Sequence, residues 1–488
     1  MNDNPQGDLS HHQTGRARRA YTGVLWSGLN AFLPALSGLI VFMVVSRVIS
    51  PAEFGFVAFA VAVVGAIGAF SPGGFGDALV QRQDLGPAHL NATFWLCLLW
   101  GIGLYVITIL LVGPAAGYLG DPMLAVLVPV VGLRLIFDLA AVVPSALLSR
   151  RMQFRQIAMR TLISSVVSLV VCLVVLWLGY GLWALVLSQL IGAVVVCVVS
   201  WLSVTWRPGR GVSRQAIRDL THFGGFASGS RLITTINADQ LLIGPLMGPT
   251  ALGLFSFARR IFMMLNDVLT GALAAVSYPL LSSMQAEPEK LRETYLATTF
   301  LSSILSFPIF VGTALVADQL IPLVFGAQWL DATRALQAFC AIGLLSCIGI
   351  LQAALIRAKG RADWWMWYQV VQQVLTVLVV VMLYPYGITA VVVGIAVKTW
   401  LVWPFVATAA GRMIDLSFGR YLAQFASPLL GCLVMVGVVL GLGSWMEDGA
   451  IRTLIVQIAA GVVTYAVTLG LTARHRLQGL RQTLRKKR

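Results

Sequence analysis

Full charges stand inside otherwise apolar stretches at Arg134, Asp138, Arg231, Asp239, Arg259, Arg260, Asp267 and Lys398. An ionised group in hydrocarbon is costly, and is kept where it is paired, wetted or bound to an ion of opposite sign. Some of these charges pair by spacing. Arg134 and Asp138 stand four residues apart and share one helix face. Counted outward from a turn at Gly248-Pro249, Asp239 lies level with Arg259 and Arg260, and Arg231 lies level with Asp267. Cross-helix ion pairs are expected there, as structural locks of a hairpin or as coupling groups. Cations are then left over. Lys398 has no acidic residue in its own stretch, and one of Arg259 and Arg260 is surplus once Asp239 takes the other. Surplus cations at mid-membrane suit an anionic group such as a phosphate. Arg134 is a further candidate for such a site, and Arg47, near the end of its stretch, a weaker one.

Other chemistry finds no residues to carry it. No GxxxxGK[ST] loop and no HExxH helix occurs. The six cysteines all fall within apolar stretches without CxxC spacing, as space-filling thiols do. Neither a metal nor a cofactor is expected. A membrane enzyme of lipid-linked sugars would need acidic, Arg or His residues in a sizeable outer loop, where this chain has only Glu447-Asp448. A non-enzymatic role follows.

The elements that position these charges are set by composition. Of 488 residues, 58% are hydrophobic and 11% charged, against roughly a quarter charged in a soluble domain. The solvent is therefore lipid, and the fold class an all-α polytopic membrane protein. About fourteen spans are expected, near 24–45, 54–71, 92–112, 123–148, 162–178, 182–204, 223–246, 252–281, 295–316, 335–356, 364–383, 388–410, 421–442 and 451–471. Residues 1–23 form a polar leader, and the span after it is too long and uninterrupted for a cleaved signal. Alternate loops carry the Arg and Lys residues, so both ends are expected in the cytoplasm. The net charge of +15 thus reads as orientation, and nucleic acid is not an expected partner.

Two turns recur along the chain. Residues 46–60 reappear as 244–258, with Pro51 matching Pro249, Gly55 matching Gly253 and Phe59 matching Phe257. Tyr180-Gly181 reappears as Tyr386-Gly387 at nearly the same offset. Both matches join spans of the same direction, which implies a parallel repeat of six-helix halves, a transporter device. The expected layout is an N-lobe over 24–204, a cytoplasmic linker over 205–222, a C-lobe over 223–410, a last pair of spans within 411–472 and a basic tail over 473–488. Polar side chains at Asn30, Asn237, Gln240, Gln369, Gln372 and Gln373 also lie within spans, where helix-to-helix hydrogen bonding is their plainest use.

The run Val45–Leu85, VSRVISPAEFGFVAFAVAVVGAIGAFSPGGFGDALVQRQDL, resembles the amino-terminal signature of bacterial polysaccharide exporters and O-antigen flippases. Asn237–Arg260, NADQLLIGPLMGPTALGLFSFARR, is similar to the start of their second lobe. These are members of the multidrug/oligosaccharidyl-lipid/polysaccharide (MOP) flippase superfamily. The resemblance implies a two-lobed bundle in the bacterial inner membrane with a central, partly cationic cavity. It implies alternating access for a polyprenyl-diphosphate-linked oligosaccharide, destined for O-antigen, capsule or exopolysaccharide. The implied partners are that lipid-linked sugar, membrane lipids, and a polymerase with its chain-length machinery; a monomer is expected. Sister families define the alternatives, a small-cation or drug antiporter and a lipid II flippase. The first span holds no carboxylate and the buried acids have arginines nearby, which favours the anionic substrate.

Overall fold

The computed structural model describes residues 34–119, 122–209, 211, 215–216, 218–220, 228, 236–285, 287–445 and 451–474. Among them the regular structure is helical, without strands. Twelve helices are long and apolar enough to cross a membrane, and a shorter apolar helix covers Pro34–Ser46. Two of the fourteen expected spans, 24–45 and 223–246, lie partly outside the described residues.

The chain divides into two compact units, Met1–Pro245 and Leu246–Arg488. The first begins with α1 (Pro34–Ser46) and α2 (Pro51–Gly68). The turn between them is built by sequence: the Ser50 side chain and the Glu53 carboxylate cap each other's backbone N–H, with Pro51 at the first helical position. A short helix α3 (Gly74–Gln81) precedes α4 (Pro87–Leu119). The next span is broken into α5 (Pro122–Gly132), α6 (Arg134–Ala140) and α7 (Val142–Arg150). Pro129 and Pro144 lie within it; each lacks an N–H and crowds the carbonyl four residues earlier. Helices α8 (Phe154–Trp177) and α9 (Trp183–Leu202) form a hairpin. Its turn needs glycine, since Gly179 and Gly181 both have positive φ.

Several described residues between Val204 and Leu220 pack against this unit. Gly209 accepts from the Trp95 indole at 2.9 Å and donates to Asn91 at 3.0 Å. Arg82 and His89 both face Asp219, at 3.1 and 3.5 Å. Leu220 and Val204 join Phe94 and Leu147 in one apolar cluster. Arg150 sits beneath it, only 3% exposed. Its guanidinium donates to the carbonyls of Leu79, Arg82 and Gln83, acceptors that the end of α3 leaves without helical partners.

The second unit holds most of α10 (Ala238–Ser283), which is interrupted at Gly248 by φ 84°, a conformation that glycine alone adopts readily. Then come α11 (Pro288–Val324), α12 (Thr333–Ala358), α13 (Ala362–Leu383) and α14 (Ile388–Arg412). A short α15 (Phe418–Leu422) leads to α16 (Ala426–Gly443) and α17 (Ile451–Thr472). The last two pack onto the rest of this unit. Cys432, Met435, Tyr465 and Leu469 share a core with Phe307, Leu351 and Trp403, and the Tyr465 hydroxyl donates to Ile304 of α11 at 2.9 Å. Small residues let these helices approach closely. A Cβ on Gly343 of α12 would come within 2.4 Å of the Phe310 ring on α11.

Candidate functional site

Within the first unit the spacing of Arg134 and Asp138 produces a bridge, Nε to Oδ2 at 2.9 Å. The breaks on either side of α6 fix which way this short segment faces. Leu135 and Leu139 point into the core, while Arg134 and Asp138 stay 46% and 44% exposed. Arg134 lies twelve residues beyond Pro122, about 18 Å along a helix and so near the middle of a 30 Å hydrocarbon layer. An exposed ion pair at that depth belongs against water or a polar ligand, since lipid cannot solvate it. Arg47 is exposed in the turn between α1 and α2.

Within the second unit, Arg259 and Arg260 lie ten and eleven residues beyond Pro249, again about 15 Å into the layer. The Arg259 guanidinium sits 6.0 Å from the Phe255 ring centroid, and Arg260 is exposed. Asp267 follows Arg260 by two helical turns on the same face. The partner expected for Asp267, Arg231, lies outside the described residues. Asp239 is half-buried, and its Oδ1 accepts from the Gln240 N–H at 2.9 Å.

Lys398 has the best-defined surroundings. Its Nζ donates to Gln372 Oε1 at 2.7 Å, to Thr376 Oγ1 at 3.0 Å and to the Gln372 carbonyl at 3.4 Å. Neutral acceptors such as these orient an ammonium. Sequence reasoning saw the glutamines as a cluster but did not connect them to Lys398; the spacing of two facing helices is not written in either one. It also passed over Asn266, whose side chain meets the Ser346 hydroxyl on α12. An amide two turns beyond Arg259 within a span was the available signal. In the first unit it missed Arg160, which donates to Ser145 at 2.8 Å and Ser200 at 3.1 Å, tying α7, α8 and α9 together.

Among the described residues no group of His, Cys, Asp and Glu is arranged to hold a metal ion.

Residues 44–334 match the family model described as polysaccharide biosynthesis protein. The chain is 24% identical over 461 residues to the lipopolysaccharide biosynthesis protein WzxC of Escherichia coli, covering 91% of this chain and 88% of the relative. It is 27% identical to the succinoglycan biosynthesis transport protein ExoT of Rhizobium meliloti, covering 90% of each. Among solved structures, lipid II flippase MurJ in an inward closed conformation superposes with a TM-score of 0.78 at 13% identity, covering 93% of this chain and all of that one. An inward-facing multidrug transporter of the MATE family follows at 0.67 and 16% identity, covering 81% and 99%. The fold is thus the one these solved transporters share, and the chain belongs to the polysaccharide biosynthesis protein family.

Proposed function

We propose that this protein carries a polyprenyl-diphosphate-linked oligosaccharide from the cytoplasmic to the outer leaflet of the bacterial inner membrane, for assembly of a surface polysaccharide. The observation that carries the reading is Lys398, an ammonium about mid-span held by the neutral acceptors Gln372 and Thr376. A diphosphate crossing hydrocarbon needs its charge met by cations, and Lys398, Arg259 and Arg260 of the second unit are the groups we assign to it. The relatives named for transport or biosynthesis of polysaccharides support the same substrate class.

In this reading the lobes are 24–204 and 223–410, both termini face the cytoplasm, and the substrate is exposed alternately to the two sides. The protein binds and moves its substrate without altering it covalently. Deleting the gene should abolish surface polymer and leave the lipid-linked repeat unit in the inner leaflet. The wild-type chain should restore export, while Lys398→Ala and Arg259→Ala/Arg260→Ala should not. Full export by both variants would refute the cationic site. Resistance to organic cations on overexpression, lost in Asp239→Asn or Asp267→Asn, would point to the antiporter function instead.

A further inference from the structure

The Lys398 network does not end at Gln372. The other end of that amide, Nε2, donates to the Tyr368 hydroxyl at 2.7 Å. The Tyr368 ring in turn lies 5.1 Å from Trp365 and stacks on Trp364 at 5.7 Å. At 100° per residue, Trp365, Gln369, Gln372, Gln373 and Thr376 share one side of α13, with Tyr368 on its flank. The opposite side carries Val371, Val374, Leu378 and Val381, all exposed, which is a lipid-facing surface. Trp367, 63% exposed, belongs to that outer side. The inner side differs: Trp365 and Tyr368 rest partly against the core of the second unit, and with Gln369, Gln372 and Gln373 each is half-buried.

Rings and amides side by side match the chemistry of a sugar. A pyranose offers hydroxyls around its rim, which an amide can serve as donor and acceptor. Its faces carry C–H patches, which a flat aromatic ring covers while its own polar tip stays bonded. From Trp365 to Thr376 the strip is about 16 Å long, room for more than one sugar residue. A membrane-interface aromatic belt accounts for Trp367, but it gives no reason for three glutamines and an amide-to-phenol bond on the inner side.

We propose that this strip of α13 is a carbohydrate subsite continuous with Lys398, resting on the flippase reading above. The diphosphate lies at the ammonium and the first sugars lie along Gln372, Tyr368 and Trp365. The test uses the full-length protein in nanodiscs and two radiolabelled probes: undecaprenyl diphosphate, and the lipid-linked repeat unit extracted from the producing strain. Trp365→Leu/Tyr368→Leu should weaken binding of the glycosylated lipid about tenfold, the scale of two lost aromatic contacts, while binding of the bare diphosphate changes less than about twofold. Trp365→Phe/Tyr368→Phe, which keeps both rings, should retain most of the preference, and Trp367→Leu all of it. A Trp365→Leu/Tyr368→Leu protein that keeps the full preference for the glycosylated lipid overturns the subsite alone. So does one that loses both probes equally. Wild-type protein that binds neither probe overturns the flippase reading itself.

Discussion

Lys398 donates to Gln372 Oε1 at 2.7 Å across the α13–α14 hairpin. At the matching position of the first unit's hairpin the residue is a glycine. Lys398 stands eleven residues beyond Gly387, and Gly192 stands eleven beyond Gly181, the glycine of the matching turn. There the Ser164 hydroxyl donates to the Gly192 carbonyl at 2.9 Å, and a Cβ on Gly192 would meet the Ser168 hydroxyl at 2.6 Å. The same helix-to-helix contact is closed by small residues in one repeat and by an ammonium–amide pair in the other. That asymmetry favours a binding role for Lys398, because the same position closes on small residues in the other hairpin.

Replacing Gln372 with Leu removes the acceptor that aims Lys398 and should lower substrate affinity about tenfold or more, from the 1.5–3 kcal/mol typical of a hydrogen bond to a charged group. Glu at the same position should weaken it too, by neutralising the ammonium with an acid. Radioligand binding with undecaprenyl diphosphate checks both.

The Arg134–Asp138 bridge is exposed, so its contribution to stability is small. A double-mutant cycle of thermal unfolding in detergent should give a coupling below about 1 kcal/mol. Transport should nevertheless fall in Arg134→Ala and survive in Asp138→Ala. Equal loss of transport in the two would make the bridge structural.

Arg150 behaves oppositely. Its guanidinium is buried on three carbonyls around the end of α3, so Arg150→Gln should destabilise by about 2–3 kcal/mol and lower the melting temperature. Transport per folded molecule should stay near the wild-type rate.

Gly343→Ala tests the packing of α11 on α12. Its Cβ would press on the buried Phe310 ring at 2.4 Å, and overpacking of this kind costs about 1–3 kcal/mol. A thermal-shift measurement should show the loss without a change in ligand preference.

How much of this was legible in the sequence differs by level. Long apolar runs and Pro-Gly turns place the helices well, because each span's boundary depends only on local composition; α13 and α14 start and end within a few residues of expectation. The breaks around α6 were not foreseen, although Pro129 and Pro144 carry the signal. Short helices such as α3 escaped because eight residues leave little periodic pattern. In and beside the linker expected over 205–222, Val204 and Leu220 are buried and Asp219 faces Arg82 and His89, contacts that its run of arginines does not announce. At the site, an i,i+4 pair such as Arg134–Asp138 is readable within one helix. Lys398 with Gln372 is not, since it depends on the rotation of two helices about each other.

The most direct test of the anionic-substrate account is the initial rate at which purified protein in proteoliposomes moves the lipid-linked repeat unit between leaflets, compared for wild type, Lys398→Arg and Lys398→Met. The account predicts clear flipping by wild type, substantial retention in Lys398→Arg, and a loss of about tenfold or more in Lys398→Met, on the scale of one charge-assisted hydrogen bond. Wild-type and Lys398→Met rates that coincide would contradict it.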